Sequence, residues 1–414
     1  MNIRFSQAAP AALLALAIAG CGSATAGQDP PGSAAPESAM AGHGSIAGVA
    51  EVAEPQLHLV AVDGAGKSSM LDLLDGTETL LEPVAPPARI SSDGRYVFAA
   101  GNTGVEVIDS GVWTWDHVDH FHYYRSEPTT VGMVSGAGVA TVATGLLSTA
   151  GTTGMFFPSS GAAVLVDNSA LSDGTISESL RLDVQPHAGI MAPLGDGAVV
   201  TEADANGTAA RLRAVDAGGR EVATAPCAAA AGTIATRVGL VIGCADGAVI
   251  ATGEGASPAL EHVPYPEGAA APATTFNARK GRPTVAGLGQ DRGVWLLDTR
   301  QRQWDWLPTS TPVLAAAAVD DADGHVVVVA TDGTVQVYAA ESKELLSSTQ
   351  ALMPATVASP ELAGKVTLTV DGGRAYVNAP AEGVVFEIAY ADGARIARTL
   401  TLPTGPLHFA ETGR

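Results

Sequence analysis

The sequence predicts an all-β protein built as a single β-propeller, with eight blades favoured and seven as the alternative. Short apolar or alternating runs recur from residue 56 onward, and each leads into a turn that carries Gly or Asp. No apolar period of 3.6 residues lies between these runs, so helices are not expected there. Strand–turn–strand units that recur about every 35 to 58 residues are typical of propeller blades, because one blade cannot bury both of its faces alone.

Eight segments mark the repeat, and the DG and NG dipeptides between paired runs predict hairpin turns. The terminal run PLHFAETG (406–413) is expected to close the ring by adding a strand to the first blade. A β-sandwich array is the alternative architecture, but no change in composition after residue 56 separates domains. The repeat segments are MLDLLDGTE (70–78), GVEVIDSG (104–111), GAAVLVDNSA (161–170), ARLRAVDAGG (210–219), GAVIATGEG (247–255), GVWLLDTRQ (293–301), GTVQVYAAES (333–342) and GVVFEIAYADG (383–393).

The residues that precede the propeller are predicted to form a signal peptide followed by a flexible tether. Arg4 is the only charge ahead of an apolar stretch that ends at Cys21, and this stretch is too short to span a bilayer. The four residues Ile18-Ala19-Gly20-Cys21 resemble a bacterial lipobox, so residues 1–20 are predicted to be a lipoprotein signal peptide and Cys21 the lipidated residue. An ordinary signal peptide is the alternative.

Residues 21–50 are rich in Gly, Ala, Ser and Pro, and they predict a flexible tether because they cannot bury enough apolar surface to fold. Residues 51–414 are assigned to the propeller. The protein is therefore expected outside the cytoplasmic membrane and in contact with it only through its lipid anchor.

The acidic composition and the missing catalytic motifs narrow the possible functions. A formal net charge of −21 makes nucleic acids and anionic lipid surfaces poor partners, since both require clustered Lys and Arg. No GxSxG, HExxH or dinucleotide fingerprint occurs in the sequence. We therefore expect a protein that is not an enzyme.

Two cysteines remain after Cys21, and they lie seventeen positions apart at Cys227 and Cys244. In an oxidising compartment such a pair most simply forms a disulfide. A metal role for the pair is disfavoured because neither cysteine belongs to a CxxC motif.

The most unusual segment of the chain is WTWDHVDHFHYY (113–124), which contains three of the nine histidines. Imidazole and carboxylate groups are typical zinc ligands, and the lack of nearby Cys or Met disfavours a Cu(I) site. The segment is predicted to be an extended connection just after a blade strand. The alternative is a surface loop whose histidines make ordinary hydrogen bonds.

In an extended segment His120 and His122 share one face, so both could reach one zinc ion, whereas His117 would join them only if the loop bends. Asp116 or Asp119 could bind the ion or orient an imidazole. Four-coordinate zinc usually needs a further ligand, and His187, which opens the following blade, is the best candidate for it. The alternative for His187 is a turn residue after a proline.

Four segments of the chain together carry a family resemblance. VIDSGVWTWDHVDHFHYY is followed by PHAGIMAPLGDG, by the pair CAAAAG and GCADG, and by HVPYP. This order resembles the AztD-type zinc metallochaperones, which are secreted β-propeller proteins that hand zinc to the solute-binding protein of an ABC importer. The resemblance implies that His187 matches the first His of a segment that often reads HHG. It also implies that five residues match the family's His/Asp motif, namely Asp116, His117, Asp119, His120 and His122.

The sequence departs from the family pattern at two places. Ala188 stands where a second His is expected, and Ala231, Gly232 and Thr233 stand where family members tend to carry His-Gly-Glu. The predicted tether carries one His instead of a His-rich tail.

Two functions from different classes are compatible with these observations. The leading hypothesis is a monomeric, lipid-anchored protein that stores zinc or delivers it to the solute-binding protein of a zinc ABC importer. The alternative is a lipid-anchored propeller scaffold for protein or cell-wall binding, without a functional metal site.

Overall fold

The computed structural model describes residues 49–116, 120–253, 257–269, 271–289 and 292–414. Every described residue belongs to one compact unit. The predicted signal peptide, Cys21 and all but the last two residues of the predicted tether lie outside the described residues. Among the helices of the described part, none is long and apolar enough to cross a membrane.

Four-stranded antiparallel sheets dominate the described part of the chain, where there are eight of them. We number the sheets along the chain. Sheet 1 contains β2 (His58–Val62), β3 (Ser68–Asp72), β4 (Glu78–Leu80) and β35 (His408–Thr412). Sheet 2 contains β5 (Arg89–Ser92), β6 (Tyr96–Ala100), β7 (Gly104–Asp109) and β10 (Thr129–Ser135). Sheet 3 contains β11 (Thr141–Ala143), β12 (Thr152–Phe157), β13 (Ala162–Asp167) and β14 (Glu178–Asp183). Sheet 4 contains β15 (Met191–Leu194), β16 (Gly197–Ala203), β17 (Ala209–Val215) and β18 (Glu221–Pro226).

The second half of the chain repeats the same arrangement. Sheet 5 contains β19 (Ala231–Ala235), β20 (Leu240–Cys244), β21 (Gly247–Thr252) and β22 (Ala259–Pro264). Sheet 6 contains β23 (Thr275–Asn277), β24 (Thr284–Leu288), β25 (Gly293–Asp298) and β26 (Gln303–Pro308). Sheet 7 contains β27 (Val313–Ala318), β28 (His325–Ala330), β29 (Val335–Ala339) and β30 (Leu345–Ser348). Sheet 8 contains β31 (Leu368–Val370), β32 (Ala375–Ala379), β33 (Val384–Ala389) and β34 (Arg395–Thr401).

A smaller sheet of three strands has the order β1 (Ala50–Val52), β9 (Phe121–Arg125) and β8 (Val112–Asp116). We call it the hairpin sheet. Its first strand starts at Ala50, so the last residue assigned to the tether is part of a strand. Three short helices are also present in the described part: α1 (Asn168–Ser172), α2 (Pro354–Ala358) and α3 (Pro360–Ala363).

The burial of each strand follows its place in the sheet. β28 reads HVVVVA and is buried at every position, because a middle strand packs its two faces against the neighbouring sheets. β14, at the outer edge of sheet 3, alternates exposed and half-buried residues. β-branched side chains suit the middle strands because they pack well on a pleated surface.

Among the described residues, eight apolar clusters join the sheets into a closed ring. Each cluster lies between two sheets that follow one another along the chain, and one lies between sheets 8 and 1. In that last cluster Leu59 of sheet 1 packs with Val385 of sheet 8. The predicted all-β propeller is therefore confirmed.

The ring is closed by the last strand of the chain. β35 pairs antiparallel with β2, with Leu59 opposite Glu411 and Val60 opposite Ala410. The expectation that the terminal run adds a strand to the first blade is confirmed. β35 is the innermost strand of sheet 1, where the first strands of the other sheets also lie.

Strand direction separates the two ends of the ring. Connections from the first to the second strand and from the third to the fourth strand of each sheet lie at one end, which we call the hairpin end. Connections between the middle strands and from one sheet to the next lie at the other, the crossover end. The innermost strands enclose a channel with a cavity of about 420 Å³, which is lined toward the hairpin end by Asp93, Leu146, Lys280 and Arg414.

Cys227 and Cys244 form a disulfide with an S–S distance of 2.01 Å. Both residues are buried in the apolar cluster between sheets 4 and 5. The bridge joins the segment that follows β18 to the end of β20. Both sulfur atoms therefore lie away from the histidine-rich segment.

Candidate metal centre

The histidine-rich segment lies in the connection that follows the blade strand β7, as predicted, and its two extended strands pair as a β-hairpin. β8 and β9 pair antiparallel, with Trp113 opposite Tyr124 and Trp115 opposite His122. The hairpin is inserted between β7 and β10, the third and fourth strands of sheet 2, so it lies at the hairpin end of the ring. Aromatic and β-branched residues in facing positions favour such pairing, because their side chains interact across the strands.

The base of the hairpin is fixed by an aromatic stack on a buried guanidinium group. The rings of Trp113 and Tyr124 are stacked with their centroids 5.2 Å apart. The guanidinium carbon of Arg95 lies 3.8 Å from the centroid of the Trp113 ring. Arg95 also forms a buried ion pair with Asp109, with Nη2 and Oδ2 2.6 Å apart. This packing joins the hairpin to sheet 2.

A second contact joins the hairpin to sheet 1. Nη1 of Arg125 lies 3.0 Å from Oδ2 of Asp72, and the same carboxylate oxygen lies 3.3 Å from Nε2 of His58. Burial lowers the pKa of His58, although the Gln56 carbonyl and Asp72 act in the opposite direction. Asp72 therefore joins the hairpin to a buried imidazole at the start of β2.

Near the tip, His120 and His122 meet as the sequence analysis expects. Their Nε2 atoms are 2.9 Å apart. Two nitrogens bound to one tetrahedral zinc ion, each at about 2.0–2.1 Å, are separated by about 3.3 Å. A small rotation of either ring would therefore admit an ion between them. The ion would take the place of the proton that the two Nε2 atoms share.

Glu51 of β1 supplies a carboxylate that the sequence analysis did not identify. Its Oε1 lies 2.6 Å from Nδ1 of His122. β1 pairs with β9, and Glu51 stands opposite Tyr124. A carboxylate on the far nitrogen of an imidazole fixes the tautomer and the orientation of the ring, and it makes the other nitrogen a better metal ligand.

The strand register places Asp116 on the other face of the hairpin from His122. Asp116 stands opposite Phe121, whereas His122 stands opposite Trp115, and side chains alternate between faces along a strand. Asp116 forms an ion pair with Arg237, with Oδ2 and Nη2 2.5 Å apart.

The remaining two candidates of this segment, His117 and Asp119, lie outside the described residues. Within the part of the chain that is described, no group of three or more His, Cys, Asp or Glu residues is arranged to hold a metal ion.

His187 lies at the crossover end of the ring, in the connection from sheet 3 to sheet 4. Its Nδ1 is 2.7 Å from the Gln185 carbonyl oxygen, and its Nε2 is 2.8 Å from the Thr201 hydroxyl. The buried ring also packs edge-on against Phe156, with the centroids 4.7 Å apart. The structure therefore does not bring His187 to the hairpin, and a role as the distant ligand of the same ion would require a different arrangement. Its neighbours match those of a structural turn residue.

Comparison with known proteins gives one curated relative and a group of solved structures. No protein-family model matches the chain. The zinc chaperone AztD of Citrobacter koseri is 26% identical over 237 residues, which is 54% of this chain and 55% of that protein. The chain thus matches about half the length of this relative.

Two solved structures of Citrobacter koseri AztD share the fold. The crystal structure of that protein matches with a TM-score of 0.76 and 20% identity, over 87% of this chain and 99% of that chain. The structure of apo AztD matches with a TM-score of 0.74 and 19% identity, over 87% of this chain and 98% of that chain. The predicted resemblance to the AztD-type proteins is therefore confirmed, by sequence over about half of the chain and by fold over most of it.

Proposed function

We propose that this chain is a non-enzymatic, extracytoplasmic zinc-binding protein that stores zinc or passes it to the solute-binding protein of a zinc importer. The pair of histidines at the hairpin tip carries the proposal, because their Nε2 atoms are 2.9 Å apart and His122 is oriented by a carboxylate. Neutral imidazole nitrogens are preferred ligands of zinc. The similarity to a zinc chaperone supports the same cargo.

In this proposal His120 and His122 bind zinc directly. Glu51 orients His122 through Nδ1. His117 and Asp119, which lie outside the described residues, remain the predicted ligands that complete the shell, since both are close to His120 in the sequence.

Exposure of the hairpin tip supports a transfer function. Phe121 is 54% exposed, and His120 beside it is also exposed. A partner protein could therefore bring its own ligands to the ion while the hairpin still holds it, so zinc could move by stepwise ligand exchange. Delivery to an importer requires such access, whereas a buried structural site would prevent it.

We also propose that Cys21 anchors the protein outside the cytoplasmic membrane. The lipobox-like residues before Cys21 support this localisation. The long polar segment that follows would leave the propeller free to meet a partner.

The proposed function is tested by the double variant His120→Ala/His122→Ala. It should lose stoichiometric zinc binding in isothermal titration, because the two core ligands are gone. Its thermal unfolding should match that of the wild type, because the exposed tip adds little to the ring. His262→Ala is the matched control, since Nε2 of His262 lies 3.1 Å from Oδ1 of Asp246 in another histidine–carboxylate pair at the surface.

Wild-type binding no tighter than roughly micromolar, which corresponds to about −8 kcal/mol, would contradict a zinc-handling role. The scaffold function would then be the better account of this propeller. Unchanged binding by the double variant would move the zinc site away from the hairpin.

A further inference from the structure

The hairpin reaches across the mouth of the central channel. At its base Arg125 contacts Asp72 of sheet 1. Farther along, the Thr114 hydroxyl donates a hydrogen bond of 2.7 Å to the Gly413 carbonyl oxygen, just beyond β35 at the channel wall. At its far end Asp116 meets Arg237 of sheet 5. The hairpin starts from sheet 2 and reaches sheet 5, three places farther along the ring, so it extends over the opening of the channel.

Arg237 is well placed to act as the far support of this crossing. It lies in the turn between β19 and β20, and its backbone N–H donates to the Gly281 carbonyl oxygen at 3.0 Å. Thr236 forms an isolated parallel bridge with Gly281. The backbone of Arg237 is therefore tied to sheet 6, while its side chain extends into solvent and is 61% exposed.

The ion pair acts on the face of the hairpin that does not carry the paired histidines. Because Asp116 and His122 point to opposite faces, Arg237 can hold the tip without occupying the nitrogens that would bind metal. A site whose ligands are held in place before the metal arrives loses less conformational entropy on binding.

We propose that Arg237 is a positioning residue of the hairpin site, and that its ion pair with Asp116 holds the end of β8, together with its partner strand β9, across the channel mouth in the geometry that receives zinc. The proposal depends on the proposed zinc function for its consequence, but the contact itself can be tested without metal. It also gives Asp116 the role of ion-pair partner of Arg237, instead of the role of metal ligand expected from the sequence.

Hydrogen exchange of the metal-free protein tests directly whether the Asp116–Arg237 ion pair holds the hairpin in place. Backbone amides of residues 112–125 should exchange faster in Arg237→Gln and in Asp116→Asn than in the wild type, because the tip loses its far support. Arg237→Lys should keep most of the protection, and the charge reversal Asp116→Arg/Arg237→Asp should restore it. The matched control is Arg220→Gln, which removes the exposed pair that Arg220 forms with Asp216 at 3.0 Å in sheet 4. Equal exchange in Arg237→Gln and wild type would overturn the proposal.

Zinc titration of the same variants tests the consequence. Exposed ion pairs contribute little, so Arg237→Gln should weaken zinc binding only about twofold to fivefold, with the difference shrinking at high salt. The charge reversal should return affinity to the wild-type value. If the reversed pair binds as weakly as Asp116→Asn, Asp116 itself contacts the ion and the proposal is overturned.

The two experiments distinguish a failure of the proposed role of Arg237 from a failure of the proposed zinc function. A wild-type protein that binds no zinc contradicts the proposed function. The exchange experiment still decides whether Arg237 holds the hairpin.

Discussion

Glu51 determines which nitrogen of His122 is offered to a metal. Its carboxylate oxygen lies 2.6 Å from Nδ1, so a proton held there leaves Nε2 as the nitrogen with the free electron pair. That Nε2 atom is the one that faces His120. A single acidic side chain thus selects the tautomer and the ring orientation that the proposed site needs.

Replacing Glu51 should therefore weaken zinc binding without removing a predicted direct ligand. We expect Glu51→Ala to weaken binding about tenfold or more, as loss of a carboxylate behind a ligating histidine usually does. Glu51→Gln should have a smaller effect, because its amide oxygen can still accept the Nδ1 proton. Isothermal titration would measure both, with the exposed Glu54→Gln as the control. Wild-type affinity in Glu51→Ala would show that the carboxylate does not assist binding.

Single residues also show where sequence reasoning reaches its limit. The pairing of His120 and His122 could be predicted, since residues two positions apart in an extended segment share a face. Glu51 could not be found in this way because it lies 71 positions from His122 and meets it only after β1 pairs with β9. Asp116 was considered together with the histidines because it is close in sequence, but the strand register turns it toward Arg237.

At the scale of single elements, β35 carries two buried groups that respond to pH in opposite ways. Burial raises the pKa of Glu411 to about 7, despite the nearby guanidinium of Arg414. Burial, assisted by Lys365, lowers the pKa of His408 below its usual value of 6.5. Between pH 7 and pH 4.5 the folded state therefore gains stability from Glu411 as the pH falls. Below pH 6.5 it loses stability through His408, because the unfolded imidazole binds the proton more readily.

The contribution of His408 can be isolated with the neutral variant His408→Asn. The free energy of unfolding of this variant, relative to that of the wild type, should rise as the pH is lowered from 7.5 to 5. The reason is that only the wild type then binds a proton on unfolding at this position. Urea denaturation at the two pH values would measure the change. A difference between variant and wild type that is the same at both pH values would contradict the assigned pKa direction.

At the scale of the whole molecule, the repeat of short strands and polar turns was sufficient to predict the propeller and its closing strand. The end of the ring at which a residue lies was not predicted. His187 was expected near the hairpin because it opens the next blade, but connections between sheets lie at the crossover end. Sequence proximity does not reveal this, because it depends on the direction of every strand between the two segments.

The anchoring proposal also concerns the whole molecule. Cys21→Ser should release the protein from membranes into the soluble fraction, since the residue that would carry the lipid is lost. Immunoblots of membrane and soluble fractions would measure the change, with Ser33→Ala as a control in the same segment. Unchanged membrane association of Cys21→Ser would contradict a lipid anchor at this position.

The pairing of β35 with β2 sets an order of events during folding. Sheet 1 keeps an unpaired inner edge until residues 408–412 become available, so its completion must bring together parts of the chain that are very far apart in sequence. Closing so long a loop is slow, and an exposed strand edge invites pairing with other chains in the meantime. The Gly413 carbonyl oxygen, which accepts a hydrogen bond from the Thr114 hydroxyl, comes just after this strand. This one contact of the hairpin can therefore form only after β35 has taken its place in sheet 1.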